Sequence, residues 1–249
     1  MIKVLINGCN GRMGQEVAKA ILDTPEIEIL CGVDRIDNEN NSFPVFTDIT
    51  KIDLIPDVII DFSIPDATFN ILEFAKINKI PTVIATTGFS KEQLEKIEKY
   101  SKEFPIFRSA NMSYETNLMA KLVAELAQKL PDSDIEIVET HHNQKIDSPS
   151  GTALILADSI NNSLNNEMYY EYNRHSKREK RNPKEIGIHS IRGGNEVGKH
   201  TVLFFGNNES FEITHTVNSR GVFANGAIKA AFFIINKEAG HPYNMNDMF

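Results

Sequence analysis

Ile2-Lys3-Val4-Leu5-Ile6-Asn7-Gly8-Cys9-Asn10-Gly11-Arg12-Met13-Gly14 lies at the start of the sequence, and Val17, Ala18, Ile21 and Leu22 follow it at helical spacing. A branched apolar run, a glycine-rich turn and an amphipathic pattern make a strand–turn–helix unit. Glycines let the backbone turn tightly and approach a pyrophosphate, which then rests on the N-terminus of the helix. The spacing is Gly8-x-x-Gly11-x-x-Gly14, with Asn10 where the commoner dinucleotide fingerprint has its second glycine. Gly8, Asn10, Gly11, Arg12, Met13 and Gly14 are therefore candidate cofactor contacts. Ile27–Val33 reads as a second strand ending at Asp34, about twenty residues beyond the glycines, where a carboxylate can hold a ribose hydroxyl. An acid there favours NAD, whereas Arg35 and Arg12 could neutralise the extra phosphate of NADP. The pair suggests relaxed cofactor choice.

Outward from this unit the rhythm repeats. Residues 37–42 form a polar loop, and Pro44-Val45-Phe46 suits a short strand. Strands are expected at Val58–Asp61, 81–85 and 105–107, with helices at Pro65–Asn78 and 90–102 between them. Strands alternating with helices imply right-handed crossovers and a parallel sheet, with ligands bound at the carboxyl ends of the strands. Those ends bring Asp61-Phe62-Ser63, Thr86-Thr87-Gly88 and Ser109-Ala110-Asn111-Met112 toward the crevice. Phe62, Thr86, Thr87, Gly88, Ser109, Asn111 and Met112 complete the candidate cofactor set.

After Met112 the pattern changes. A helix over 116–129 carries a core stripe of Leu118, Met119, Leu122, Val123 and Leu126. The alternating run Ile135, Ile137, Val138 then feeds a polar loop with His141, His142 and Lys145. Ser150-Gly151-Thr152 opens a helix running to about Leu164; Ser150 suits the N-cap, and the helix N-terminus attracts an anion. Histidine titrates near neutrality, so His141 or His142 can exchange a proton in a reaction. Proton donors, a mobile cation and an anion site thus fall within a dozen or so residues.

Residues 174–184 hold Arg174, Lys177, Arg178, Lys180, Arg181 and Lys184, read as a solvated loop. Segments 186–191, 201–205 and 211–217 follow with glycine-marked turns and no helix between them, the signal of antiparallel strands. They imply a second domain with a mixed, open sheet whose unpaired face or edge invites oligomer packing. The segment 223–239 is so apolar that it must be a buried helix, expected to return to the nucleotide domain.

Composition agrees with a small-molecule partner. The 249 residues suit one large domain or two modest ones, and 41% hydrophobic content supports a full core. With 34 acidic against 26 basic side chains and a net charge of -8, bulk nucleic-acid binding is disfavoured. Cys9 and Cys31 form no disulfide framework or zinc-site spacing, and no metal is expected. No signal peptide or membrane-spanning run is evident, so a cytoplasmic protein is expected.

With these motifs in hand, the chain resembles the dihydrodipicolinate reductase family (4-hydroxy-tetrahydrodipicolinate reductases) over essentially its full length. The most specific match is Glu139-Thr-His141-His142-Asn-Gln-Lys145-Ile-Asp147-Ser-Pro149-Ser150-Gly151-Thr152-Ala153. It is supported by Gly8-x-x-Gly11-Arg12-Met13-Gly14, Thr86-Thr87-Gly88, Arg192-Gly193-Gly194, Val197-Gly198-x-His200 and Phe223-Ala-Asn-Gly-Ala227. The resemblance implies an α/β fold, a Rossmann-like domain for NADH or NADPH over 1–112 with 221–249. Into it is inserted an α+β substrate and oligomerisation domain of mixed or antiparallel sheet over 113–220, assembling a homotetramer. It implies His141 as general acid, Lys145 sharing in catalysis, and His142, Lys145, Ser150, Gly151 and Thr152 as contacts to a small dicarboxylate, reduced on the diaminopimelate route to lysine. Three departures stand out: Ser148 replaces the usual Ala, Ser113-Tyr114-Glu115 lacks a glycine, and Asp34 replaces a frequent Glu. Glu115 is expected to influence the cofactor side. Two alternatives are a related two-domain dehydrogenase, disfavoured because both thiols fall in the nucleotide half, and a non-catalytic nicotinamide-sensing module.

Overall fold

The structure, a computed structural model, describes residues 1–37 and 41–249, so the middle of the polar loop expected at 37–42 lies outside the described residues. The chain divides into two compact units, Met1–Tyr114 with Arg220–Phe249, and Glu115–Ser219.

In the first unit, β1 (Ile2–Asn7), α1 (Arg12–Leu22), β2 (Ile27–Val33), β3 (Val45–Phe46), β4 (Val58–Asp61), α2 (Pro65–Asn78), β5 (Thr82–Ile84), α3 (Lys91–Ser101) and β6 (Ile106–Arg108) follow in order. The strands pair in parallel as β3-β2-β1-β4-β5-β6, the expected Rossmann-like sheet. The central strands are buried on both faces, because helices cover both sides of the sheet. Val4, Ile6, Val58 and Ile60 join one core cluster, while Leu5, Ile59, Ile84 and Ile106 join the other. Local signals set the helix ends. Pro65 occupies the first turn of α2, and Ser90 caps α3 in a reciprocal capping box with Gln93.

The second unit contains α4 (Tyr114–Lys129), β7 (Asp134–His141), α5 (Gly151–Ser163), β8 (Tyr169–Glu171), β9 (Glu185–Arg192), β10 (Gly198–Phe205) and β11 (Ser210–Val217). Its sheet order is β11-β10-β7-β9-β8. Here the structure differs from a simple antiparallel run. β10 pairs antiparallel with β11 and with β7, but β7 lies between β9 and β10 and pairs parallel with β9, so the sheet is mixed. Short glycine turns describe only the local chain reversal; the partner is chosen by burying Ile135 and Ile137 at the centre, among Ile186, Ile188, Val202 and Phe204. β8, parallel to β9, is too short to have left a periodic trace in the sequence.

The basic run 174–184 is a loop, as expected, but most of its charge is paired. Arg174 meets Glu185, Lys177 meets Glu171, Lys184 meets Glu167, and Arg181 bridges Asp134 and Glu136. Four of its six cations are therefore engaged by carboxylates of the same unit, although the segment is a loop and the Lys184 and Glu167 side chains stay 60% and 59% exposed. Glu115, the family departure, is exposed in the first turn of α4, where the helix dipole favours an acid.

The last helix, α6 (Gly221–Ile234), belongs to the first unit and buries Ala224, Ala227, Ala230, Ala231 and Ile234. It starts earlier and stops earlier than 223–239. Beyond it the polar residues 236–240 turn the chain so that Tyr243 can donate to Ile106 O and accept from Arg108 N, each at 2.8 Å. Continuing the helix would forfeit that edge pairing beside β6. No helix among the described residues is long and apolar enough to cross a membrane.

Candidate active site

In the first unit the glycine turn is imposed by crowding. Gly8 has φ +81°, and a Cβ there would lie 2.6 Å from Phe62 O; one on Gly14 would lie 2.2 Å from Gly8 O. Only hydrogen at these positions lets the turn close against β4 and α1 start beneath it. Gly11 is the N-cap of α1, no side chain caps that first turn, and no acid occupies it. The positive end of the helix is thus left for an anionic ligand. Gly11 and Arg12 are exposed, Asn10 and Met13 half-buried. Asp34 follows β2 and accepts hydrogen bonds from Asn10 N (2.8 Å) and Arg35 N (2.7 Å), which ties it to the glycine turn; Arg35 is exposed.

At the neighbouring strand ends, fully buried Asp61 accepts from Asn7 Nδ2 (2.8 Å), Ser63 Oγ (2.5 Å), Thr68 Oγ1 (2.6 Å) and Thr86 Oγ1 (2.9 Å). Burial raises its pKa against these hydrogen bonds. The network locks the ends of β1, β4 and β5 together, and the Thr86 hydroxyl is spent on it. Met112 is likewise buried in the core, so Thr86 and Met112 offer a ligand chiefly backbone. Phe62 is half-buried, Thr87 and Gly88 exposed, and Ser109 and Asn111 half-buried, where Ser109 Oγ donates to Asn111 O at 2.7 Å.

In the second unit, β7 delivers His141 at its last residue, and the loop after it leads into α5. Glu139, two residues back and therefore on the same face of the strand, accepts from His141 Nδ1 at 2.6 Å. From β9, Arg192 grips the same carboxylate with two bonds, Nη2 to Oε1 at 2.7 Å and Nη1 to Oε2 at 2.8 Å. Ser150 N donates to Glu139 Oε1 at 3.1 Å, so one buried carboxylate holds both the histidine and the start of α5. Burial pushes the Glu139 carboxyl up, but hydrogen bonds from Arg192, Ser190 and His141 outweigh it and hold it down at about 2. His141 is lowered by burial, opposed by Glu139 and reinforced by Lys145 and Arg192.

Ser150 caps α5 as its type suggests, its hydroxyl accepting from Ala153 N at 3.2 Å. The same hydroxyl lies 2.8 Å from His200 Nε2 on β10, and the His200 ring stands edge-on to His141 with centroids 5.1 Å apart. Burial drives His200 down to about 4, and the nearby His141 adds to the effect. Gly151 is exposed and Thr152 half-buried at the first turn. The segment joining β9 to β10 pins the loop through His142 N to Glu196 O (2.7 Å) and Asn143 N to Gly194 O (3.2 Å). Lys145 Nζ meets exposed Asp147 at 2.8 Å. His142 Nδ1 is buried without a hydrogen-bond partner among the described residues.

His141, His142, Lys145, Ser150, Gly151 and Thr152 thus come together within one unit. Glu139, Arg192, Gly198 and His200 belong to the same constellation, although sequence reasoning quoted them only as motif members and assigned them no role. Their membership of those motifs was the available signal. The arrangement can deliver a proton from an oriented imidazole beside an anion-attracting helix end carrying a lysine.

Comparison with known proteins shows what the chain is similar to. The family model described as dihydrodipicolinate reductase, N-terminus, matches residues 2–112, and that described as dihydrodipicolinate reductase, C-terminus, matches 116–249. A 4-hydroxy-tetrahydrodipicolinate reductase of Caldanaerobacter subterraneus subsp. tengcongensis is 50% identical over 100% of this chain and 98% of its own. One from Clostridium tetani is 47% identical over 100% and 97%. The dipicolinate-bound dihydrodipicolinate reductase from Paenisporosarcina sp. TG-14 superimposes with a TM-score of 0.84 at 27% identity, covering 100% of both chains.

Proposed function

The chain belongs to the dihydrodipicolinate reductase family, and from that premise we propose how its residues divide the work. The enzyme reduces 4-hydroxy-tetrahydrodipicolinate to tetrahydrodipicolinate with NADH or NADPH, in the diaminopimelate route to lysine. The uncapped N-terminus of α1 and the glycine cradle fit a dinucleotide pyrophosphate. The first unit is the nucleotide domain, with Gly8, Asn10, Gly11, Arg12, Met13 and Gly14 holding the phosphates and Asp34 and Arg35 the adenosine ribose. Phe62, Thr86, Thr87, Gly88, Ser109, Asn111 and Met112 line the strand ends. When bound, the nicotinamide supplies the hydride.

The second unit is the substrate domain. Ser150, Gly151 and Thr152 hold one carboxylate of the substrate at the start of α5, and Lys145 with His142 holds the other, Lys145 exchanging Asp147 for the ligand. His141 donates a proton from Nε2 as the ring is reduced, and Glu139 keeps Nδ1 occupied so that Nε2 is the working atom. Lys145 assists by placing positive charge beside the developing negative charge. The observation carrying this reading is the shared Glu139 carboxylate, which ties proton donor and anion site into one rigid group.

Steady-state kinetics test it. His141→Gln should lower kcat with little change in KM, while Lys145→Ala should lower kcat and raise the substrate KM. A near-wild-type kcat for His141→Gln would remove it as the acid.

Self-association into a homotetramer belongs to the same proposal. The sheet face opposite α4 and α5 carries Val138, Leu203, Ile191 and Phe205, the last two exposed at 51% and 42%. Such a half-apolar sheet face is suited to packing against another copy, and light scattering on the purified protein measures the outcome. A cytoplasmic setting is supported by Cys9 and Cys31, both buried free thiols.

A further inference from the structure

We propose that Glu139 and Arg192 form a charge-neutral clamp that orients the His141 ring but leaves its protonation to the arriving dicarboxylate, so that the substrate loads its own acid. The inference rests on the reading of this loop as the dicarboxylate site. A carboxylate hydrogen-bonded to a histidine ordinarily does two things: it fixes the ring, and its charge favours the imidazolium. Here the two are separated. The Glu139 carboxylate accepts His141 Nδ1 at 2.6 Å, while both of its oxygens are held by Arg192 at 2.7 and 2.8 Å. Orientation survives, while the Arg192 guanidinium opposes the negative charge at close range.

The remaining charged and titratable neighbours do not add to the pull of Glu139. Lys145, in the loop after β7, is cationic and opposes an imidazolium, and its partner Asp147 is 59% exposed. From β10, His200 faces the ring edge and is held neutral by burial; His215 on β11 and Lys145 press it the same way. His142 adjoins in sequence. The free site is therefore poised against a protonated His141: burial is the largest cause of its lowered pKa, and Lys145 and Arg192 add to it against the pull of Glu139.

A dicarboxylate held by Ser150, Gly151, Thr152 and Lys145 reverses this balance by bringing two negative charges beside the ring. A proton then enters from solvent at Nε2, which has no hydrogen-bond partner among the described residues. Imidazole becomes imidazolium on binding, and the same proton passes to the substrate as hydride arrives, returning the ring to its neutral form. Arg192 is a positioning residue in this scheme: it touches neither ligand nor reacting atom, yet it decides when the acid is charged.

Titration calorimetry of pyridine-2,6-dicarboxylate into the enzyme saturated with NADH, in two buffers of different ionisation enthalpy at about pH 7.5, measures proton uptake directly. The expected result is uptake of roughly one proton per bound ligand in the wild type and close to none in His141→Gln. Arg192→Gln, which exposes the Glu139 charge, should bind with less than about half the wild-type uptake and shift the limb of the kcat/KM profile set by His141 protonation to higher pH. Arg192→Lys, keeping the charge, should restore most of the uptake. Binding without uptake in the wild type would overturn the proposal alone, as would undiminished uptake in either His141→Gln or Arg192→Gln. Absence of any binding would overturn the dicarboxylate reading together with it.

Discussion

His200 makes a stability switch whose size follows from the structure. It is 3% exposed, its Nε2 faces Ser150 Oγ, and burial lowers its pKa from 6.5 to about 4. A histidine held neutral when folded binds fewer protons than the unfolded chain between these two values. Its contribution is therefore fully present above about pH 6.5 and is lost as pH falls toward 4. Between about pH 7.5 and pH 5, protonating the unfolded but not the folded histidine removes about 2 kcal/mol. That is a sizeable share of the roughly 5–15 kcal/mol that stabilises a folded domain. His200→Gln can still hydrogen-bond Ser150 but does not titrate. Urea unfolding of both proteins at the two pH values isolates the effect, because all other titrating groups are common to both. The wild type should lose about 2 kcal/mol more than the variant on acidification, with m-values unchanged. Equal losses in the two proteins would refute the assignment of a neutral, folded His200.

Glu139→Gln breaks the pair with Arg192 and should cost about 3–5 kcal/mol in urea unfolding, and lower kcat by roughly a hundredfold or more as His141 loses its orientation; a kcat within a few-fold of wild type would count against the clamp. Gly198→Ala would bring a methyl to 3.1 Å from His141 Nε2. The expected result is a kcat lowered about tenfold with an unchanged far-UV circular dichroism spectrum, as a misplaced donor requires. Asp34→Ala should raise the KM for NADH about tenfold, the worth of one hydrogen bond to a charged group of about 1.5 kcal/mol. Titration with NADH followed by fluorescence checks it, and an unchanged affinity would take Asp34 out of the cofactor site.

Where signals are local, sequence and structure coincide. The strand, glycine turn and helix of residues 2–22, the Pro65 start of α2, the Ser90 capping box and the Ser150 cap each depend on a few neighbouring residues. The histidine loop stood out for the same reason: its candidate donors and the capped start of α5 are contiguous. Less legible were the features made by contacts across the fold. Thr86 reads as a strand-end ligand contact, yet its hydroxyl is claimed by Asp61, 25 residues away. Arg181 reads as solvated because its partners, Asp134 and Glu136, lie on β7, 47 and 45 residues back in the chain.

The sequence alone thus pointed to the parallel nucleotide sheet, to a second mixed unit and to the candidate proton donors and helix-capping serine of the loop after β7, since alternating periodicity, glycine spacing and capping chemistry are short-range properties. Tertiary structure alone decided that β7 enters between β9 and β10. That insertion brings Arg192 from one side and His200 from the other against Glu139, His141 and Ser150. Strand partners are selected by burying a shared apolar face, a choice made over the whole sheet and invisible to any window of residues. The environment that sets the charge of the histidine is therefore a product of sheet order, although the histidine itself could be found by reading the chain.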